Sequence, residues 1–352
     1  MIASAPKLYA GEQLEQAAGF PTLYNYFPAD PEKQLIVFIP GSGHNARVAY
    51  GAHRGYQQKD FLAYWLNSHG HGLLAISYPI ESDPELIPAT APHFRIRDWG
   101  KQAAEVTHKI IEQHGLFKEV VLVAWSMGGR IVVPYCAHAH SLGIDVALFA
   151  SLAATPGVHG SRPPPAEMSS TTAGSFALQV EEQNQKFNNG RAIFSEGVYP
   201  REYCGYTPVS LTGWGYRYDN ESRKLVVDRW ISTEDAAVDQ FEHWPMLVAL
   251  TGTSSLDARH VITDQATWSY MLTRKLMHMI EAHDVKKIAE NGNWGKLIEM
   301  VHSLPSQISY SIPGNHFFFV GEPGARTTAA FIVEHLEKAK KFKQEFQALL
   351  NT

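Results

Sequence analysis

Runs of almost continuous apolar sequence alternate with helical patterns along most of this 352-residue chain, and this alternation restricts the possible folds more than any other feature. The apolar runs are typical of strands buried on both faces, and they read QLIVFIP, GLLAISYP, EVVLVAWS, DVALFASLAA and PMLVALTG. The intervening segment DWGKQAAEVTHKIIEQHG has helical periodicity and ends in the glycine expected of a helix C-cap. Regular alternation of this kind predicts βαβ units, and therefore an α/β fold whose ligand crevice lies at the carboxyl ends of parallel strands.

The alternation breaks between residues 155 and 242, where a polar sequence with many prolines and aromatic residues takes its place. An insertion between two strands of a buried sheet must lie over an edge or mouth of that sheet, because it cannot interrupt the core. We therefore predict a core made of residues 1–154 and 243–352, and a cap or lid made of residues 155–242. Near the start of the chain, FPTLYNYF and QLIVFIP are predicted to form a hairpin.

Composition excludes several classes of protein. The formal net charge is -5 and the lysines and arginines are scattered, which leaves no basic surface for nucleic acid or anionic lipid. No stretch approaches the roughly 18 apolar residues of a membrane span, and the first residues do not have the pattern of a secretory signal. We expect a soluble, cytoplasmic protein with Cys136 and Cys204 as thiols, and the sequence does not determine its oligomeric state.

The sharpest local signal is VVLVAWSMGGRIVV, in which an apolar strand runs into a helical segment at Ser126. A strand that reverses abruptly into a helix crowds its own backbone, so Ala124 and Gly128, on either side of the turn, need to be small. Such a turn exposes the serine hydroxyl at a helix N-terminus, where backbone N–H groups favour developing negative charge. An ordinary N-cap serine after a buried strand is the alternative interpretation.

This strand–serine–helix turn resembles the nucleophile elbow of the α/β-hydrolase family, with Ala124 in place of the first glycine of G-x-S-x-G. The resemblance extends from about residue 20 to about residue 340. It implies a mostly parallel eight-stranded sheet flanked by helices, with a cap inserted after the sixth strand. It also implies a catalytic triad in the chain order serine, acid, histidine.

Serine needs a base within hydrogen-bond reach, and His316 is the best candidate. It lies in ISYSIPGNHFFFVGEPG, just past the last predicted strand, and this segment resembles the histidine loop of the family. His260 and His302 are weaker candidates, since neither follows a terminal strand in a glycine-containing turn. A loop histidine without a catalytic role is the alternative for His316.

The family usually supplies the acid just after the seventh strand, which here is PMLVALTG. The position where an aspartate is commonest is occupied by Ser255, and the first carboxylate is Asp257. We choose Asp257 and keep Asp264 as the second candidate; Asp257 pairing only with Arg259 or capping a helix is the alternative. The 59 positions from Asp257 to His316 imply an additional helical element near the site.

An oxyanion hole requires backbone N–H donors, and the amides of Met127 and Ser42 are the predicted pair. Ser42 lies in PGSGH, directly after LIVFI, and its neighbour Gly41 allows close approach of the backbone to a ligand. A phosphate-binding loop is disfavoured because the segment has neither G-x-G-x-x-G spacing nor a Lys-Ser/Thr pair. An ordinary glycine turn remains an alternative.

Together these residues predict a serine hydrolase that cleaves a carboxylic ester, thioester or lactone through an acyl-enzyme on Ser126, without cofactor or metal. The partner is expected to be a small-molecule acyl substrate, apolar or aromatic, and not nucleic acid. The predicted substrate-binding residues are Gly41, Trp125, Trp214 and Tyr216. Further cap aromatics, which could instead form the cap's own core, are Tyr199, Tyr203 and Tyr218. An acyltransferase and a noncatalytic ligand receptor on the same fold are the alternative functions.

Overall fold

The computed structural model describes residues 7–82, 85–90, 93–159, 175–176, 200–213, 216–219, 221–222, 224–228 and 230–351. The strands within these ranges are β1 (Glu12–Ala17), β2 (Phe20–Phe27), β3 (Leu35–Ile39), β4 (Leu73–Ser77), β5 (Glu119–Trp125), β6 (Asp145–Leu152), β7 (Ser175–Phe176), β8 (Thr207–Pro208), β9 (Tyr216–Asp219), β10 (Lys224–Val227), β11 (Leu247–Gly252) and β12 (Ser309–Ile312).

Eight of these strands form one sheet in the order β1-β2-β4-β3-β5-β6-β11-β12. The two β1–β2 and β2–β4 pairings are antiparallel, and all other pairings in the sheet are parallel. Strands β3, β4 and β11 are buried along their whole length, as expected for strands covered by helices on both faces. The predicted α/β fold with a mostly parallel eight-stranded sheet is therefore confirmed.

The hairpin predicted between FPTLYNYF and QLIVFIP is wrong. The first of these segments, β2, forms its hairpin with β1 and pairs on its other side with β4, while β3 lies between β4 and β5. The β1–β2 turn is Ala18-Gly19, with φ of 51° and 80°, and two positive φ values are typical of the type I′ turns that suit the twist of a two-residue hairpin. Sequence reasoning missed β1 because EQLEQA is too polar to stand out as a strand.

The α-helices of the described residues are α1 (Leu62–Ser68), α2 (Ile96–His114), α3 (Val132–Ser141), α4 (Ile231–Ala236), α5 (Gln265–Glu281), α6 (Val285–Glu290), α7 (Trp294–Ile308) and α8 (Glu322–Leu350). Helix α2 ends at Gly115, which has the left-handed conformation of a C-cap. Helices α5 to α7 occupy the interval between Asp257 and His316, where an additional helical element was predicted. Among the helices described, none is both long and apolar enough to cross a membrane.

The insertion lies between β6 and β11, the sixth and seventh strands of the main sheet along the chain. Its described parts include the short ribbon of β7 with β8 and the hairpin of β9 with β10. Much of the predicted cap, including 160–174 and 177–199, lies outside the described residues, so its boundaries at 155 and 242 remain a prediction. Cys136 and Cys204, both within the described part, are buried and form no disulfide, which agrees with the prediction of two thiols.

Candidate active site

Ser126 lies at the turn between the buried strand β5 and a 3₁₀ helix, Ser126–Ile131, that continues into α3. Its φ is 52°, a left-handed backbone conformation that residues other than glycine rarely adopt and that is typical of strained functional turns. A Cβ atom at Gly128 would lie 2.8 Å from the carbonyl oxygen of Pro40, so the structure requires a small residue there. The turn therefore has the geometry that the sequence predicted for a nucleophile elbow.

The loop after β3 packs directly against Ser126. A Cβ atom at Gly41 would lie only 2.6 Å from the Cβ of Ser126 and 3.1 Å from Cε3 of Trp125, so glycine is required for this close approach. Ser42 follows Gly41 in this loop, and Met127 follows Ser126 at the start of the 3₁₀ helix. One predicted oxyanion donor thus follows Ser126 directly in the chain, and the other follows the glycine that packs against Ser126.

His316 and Asp257 form a pair: Nδ1 of the imidazole lies 3.0 Å from Oδ2 of the carboxylate. The carboxylate is 9% exposed, and the imidazole is 26% exposed, which leaves one edge of the ring accessible. Burial disfavours the ionised carboxylate, but the charge and hydrogen bond of His316, together with the charges of His260 and Arg259, outweigh burial, so the pKa of Asp257 lies below its usual value. The structure therefore brings together the predicted base and the first of the two predicted acids.

Two backbone segments hold this pair in place. The amides of Thr253 and Ser254, just after β11, both donate to the carbonyl oxygen of Gly314, at 2.9 and 3.1 Å. A Cβ at Gly252 would lie 2.5 Å from the carbonyl oxygen of Asn315, so only glycine permits this approach of the two loops. The loop carrying the acid and the loop carrying the histidine are thus fixed to each other through the main chain.

Trp125 connects the histidine loop to the nucleophile turn. Its Nε1 donates to the carbonyl oxygen of His316 at 3.0 Å, and the two rings are 5.2 Å apart. Trp125 is only 1% exposed and also contacts Phe317 and Phe319. Trp125 is therefore buried against the histidine loop and supports it, and the substrate contact of Trp125 stays a prediction.

Asp264, the second candidate for the acid, belongs to a different set of contacts. Its Oδ2 lies 2.8 Å from Nδ1 of His260 and 2.7 Å from Nη1 of Arg259, within or beside a π-helical turn, His260–Asp264. Burial raises the pKa of Asp264 to about 6 despite the nearby guanidinium. Asp264 therefore pairs with His260 and Arg259, whereas His316 pairs with Asp257.

The sequence indicated His260 only as a weaker candidate for the base and did not indicate that it contacts His316. The ring of His260 is nearly buried and stacks on His316, with centroids 4.7 Å apart and an angle of 27° between the planes. Its Nε2 lies 2.7 Å from Nη2 of Arg259. The same guanidinium donates to the hydroxyl of Thr155, and the amide of Thr155 donates to the carbonyl oxygen of Ser126. The only signal in the sequence was the density of polar residues in SSLDARHVITD, which does not indicate which of them approach the histidine loop.

Asp257, His260 and His316 each offer a ligand atom, and these atoms lie within 4.8 Å of one another, a spacing compatible with a metal ion. The guanidinium of Arg259, 2.7 Å from Nε2 of His260, opposes a second cation at this nitrogen. We therefore interpret the cluster as a network of hydrogen bonds and charges around His316.

The predicted cap aromatics have different outcomes. Trp214 and Tyr199 lie outside the described residues, and Tyr216 and Tyr218 are described only as members of β9. Tyr203 is fully buried and its hydroxyl lies 2.6 Å from Nδ1 of His53, so Tyr203 belongs to the core and does not line an open cleft. An apolar or aromatic substrate therefore remains a prediction from the sequence.

The structure combines a serine at a strained strand–helix turn with a histidine–aspartate pair, and Trp125, the residue before that serine, donates to the carbonyl oxygen of the histidine. This is the architecture of the α/β hydrolases. A family model described as "Alpha/beta hydrolase family" matches residues 36–325, and the chain belongs to this family.

Solved structures of low sequence identity are also similar to this chain. An esterase from Thermogutta terrifontis is 11% identical with a TM-score of 0.48, and the match covers 94% of this chain and 99% of that one. A soluble variant of monoglyceride lipase from Saccharomyces cerevisiae is 12% identical with a TM-score of 0.48, covering 96% and 97%. A thioesterase domain from the curacin biosynthetic pathway is 12% identical with a TM-score of 0.44, covering 92% and 98%. A comparison with curated proteins returned no significant match.

Proposed function

We propose that the protein is a serine hydrolase that cleaves a carboxylic ester, thioester or lactone through an acyl-enzyme on Ser126. The observation that carries this proposal is the strained backbone of Ser126, with φ of 52°, together with a His316–Asp257 pair that Trp125, the residue before Ser126, binds through the carbonyl oxygen of His316. Strain of this kind persists only where the surrounding structure maintains it, and a structural N-cap serine does not need it. A carboxylic-ester hydrolase of the esterase type is the simplest activity for this arrangement.

In the proposed mechanism, Ser126 Oγ attacks the acyl carbonyl while His316 accepts its proton. Since Nδ1 of His316 faces Asp257, the remaining ring nitrogen, Nε2, is the base. Asp257 holds the tautomer and orientation of the imidazole and stabilises the imidazolium that forms. His316 then protonates the leaving group and activates water, which releases the acid and restores Ser126.

The tetrahedral intermediates in both steps carry negative charge on the former carbonyl oxygen. The amides of Ser42 and Met127 are the proposed donors to this oxygen. The close packing of Gly41 against Ser126 supports this role, because it brings the backbone of the loop next to the attacking group. No step requires a cofactor or a metal ion. A cytoplasmic location and a small-molecule acyl substrate remain predictions from the sequence.

Burst kinetics with p-nitrophenyl acetate and butyrate test the proposal. The wild type is expected to release one equivalent of p-nitrophenol rapidly and then turn over slowly, and Ser126→Ala is expected to lose both phases. Ser141→Ala, a serine substitution at the exposed end of α3, is the matched control and retains the burst. Ester formation with added alcohol would identify an acyltransferase, and a folded wild type with neither burst nor turnover would contradict the proposal.

A further inference from the structure

Residues 200–212, in the middle of the insertion, are hydrogen-bonded to the loop that follows β3. The amide of Asn45 donates to the carbonyl oxygen of Tyr203 at 2.9 Å, and the amide of Gly205 donates to that of Gly43 at 3.0 Å. Two residues after Gly205, at the start of β8, Thr207 is completely buried. This part of the insertion is thus bonded through its main chain to the proposed oxyanion loop.

The hydroxyl of Thr207 contacts three groups of this loop and its surroundings. Its Oγ1 accepts a hydrogen bond from the amide of Gly43 at 2.7 Å, and it lies 3.1 Å from both the Ser42 hydroxyl and the Tyr78 hydroxyl. Tyr78, also fully buried, donates to the carbonyl oxygen of Gly41 at 3.1 Å. Two side chains therefore bind the loop on either side of Ser42.

These bonds act on the peptide groups that flank Ser42. A trans peptide group is planar, so the carbonyl of Gly41 and the amide of Ser42 point in opposite directions from one rigid unit. Tyr78 orients this unit by binding its carbonyl. The next peptide group joins the carbonyl of Ser42 to the amide of Gly43. Thr207 orients this group by binding the amide, and the carbonyl oxygen lies 2.7 Å from Nδ1 of His44. Because glycines flank Ser42, the backbone itself contributes little resistance to rotation of these units.

We propose that Thr207 is a positioning residue, supplied by the insertion, that acts together with Tyr78 to direct the Ser42 amide toward the oxyanion. Thr207 holds the Ser42–Gly43 peptide group and contacts the hydroxyl of Tyr78, which holds the Gly41–Ser42 peptide group. This inference rests on the proposed function of Ser126 and Ser42. It makes the insertion part of the catalytic apparatus, since movement of residues 200–212 would move a donor of the oxyanion hole. Such a donor lowers the barrier only if it already points at the position of the oxyanion before the reaction.

Thr207→Val tests this proposal because valine has the shape of threonine without the hydroxyl. We expect kcat for p-nitrophenyl butyrate to fall by about 10- to 100-fold with KM within about twofold of the wild type, somewhat less than the loss of a whole donor. Thr207→Ser retains the hydroxyl and is expected to remain within about threefold of the wild type. Thr107→Val, at a fully buried threonine of α2 whose hydroxyl donates to the carbonyl oxygen of Ala103, is the matched control and keeps full activity.

Two further measurements separate positioning from general damage. Affinity for a phenylboronic acid, which forms a tetrahedral adduct with an activated serine, is expected to weaken in Thr207→Val by the same factor as kcat/KM. Hydrogen exchange of the peptide that spans residues 41–44 is expected to accelerate in Thr207→Val and not in Thr107→Val. If Thr207→Val fails to fold, Tyr78→Phe removes the other bond to the loop and is expected to show the same pattern.

The inference is overturned if Thr207→Val exchanges and reacts like the wild type, or if Thr107→Val loses as much activity. Failure of the proposed function gives a different result, since a wild type without a burst and without covalent labelling would contradict the role of Ser126 itself. The exchange measurement would still report whether Thr207 holds the loop.

Discussion

Replacing Asp257 by asparagine removes the charge that faces His316 while preserving the shape of the side chain. The 3.0 Å separation of Nδ1 and Oδ2 corresponds to an attraction of about 5–6 kcal/mol for two unit charges at an effective dielectric constant of about 20. This attraction is exerted on the imidazolium of the transition state and is absent from the neutral ground state. At about 1.4 kcal/mol per factor of ten, we expect kcat to fall by about 10⁴-fold with little change in KM.

Asp264→Asn is the control, since its carboxylate is paired with His260 and Arg259 and not with His316. Its kcat is expected to stay within about tenfold of the wild type. Steady-state kinetics with p-nitrophenyl butyrate, together with circular dichroism of each variant, make the comparison. A larger loss in Asp264→Asn than in Asp257→Asn would refute our assignment of the acid.

Three other properties can be predicted from the structure. Gly41→Ala would place a methyl group 2.6 Å from Cβ of Ser126, so we expect kcat to fall at least about 100-fold, whereas Gly295→Ala, where the added atom meets nothing within 4 Å, should not affect it. The pKa of Asp264 is about 6 in the folded state and about 3.9 in an unfolded chain, so its contribution to stability is complete below about pH 4 and is lost as the pH rises through 6. From pH 5 to pH 7 the wild type should lose about 1 kcal/mol relative to Asp264→Asn in urea unfolding, and parallel pH profiles would contradict this. Burial raises the pKa of the Cys136 thiol, so peptide mapping after iodoacetamide treatment at pH 8 should find it alkylated only on unfolding.

The sequence was sufficient to predict those parts of the fold and site that depend on local patterns. Continuous apolar runs identified the buried strands, and small residues around Ser126 identified the turn, because both reflect steric requirements that act over a few positions. His316 was predicted from a glycine turn after the last strand, in a segment that resembles the histidine loop of the family. Asp257 was identified with Asp264 as a competitor, and the structure pairs His316 with Asp257.

Other features depend on contacts between distant segments, for which a single sequence has no local signal. The stacking of His260 on His316 joins residues on either side of three helices, and the bond from Thr207 to Gly43 joins the insertion to the loop after β3. The burial of Trp125 and its bond to the carbonyl oxygen of His316 likewise join two segments that are distant in the sequence. The polar strand β1 was missed because it lies at the edge of the sheet, where alternation of apolar residues is weak.

The central claim is that Ser126 is an activated nucleophile, and covalent labelling by a fluorophosphonate tests it most directly. Incubation with a slight excess of reagent, followed by intact mass measurement and peptide mapping, is predicted to give one adduct per chain, located on Ser126. The adduct should be absent from Ser126→Ala and should form much more slowly in His316→Ala. A folded wild-type protein that remains unlabelled, or that is labelled at another residue, would contradict the account.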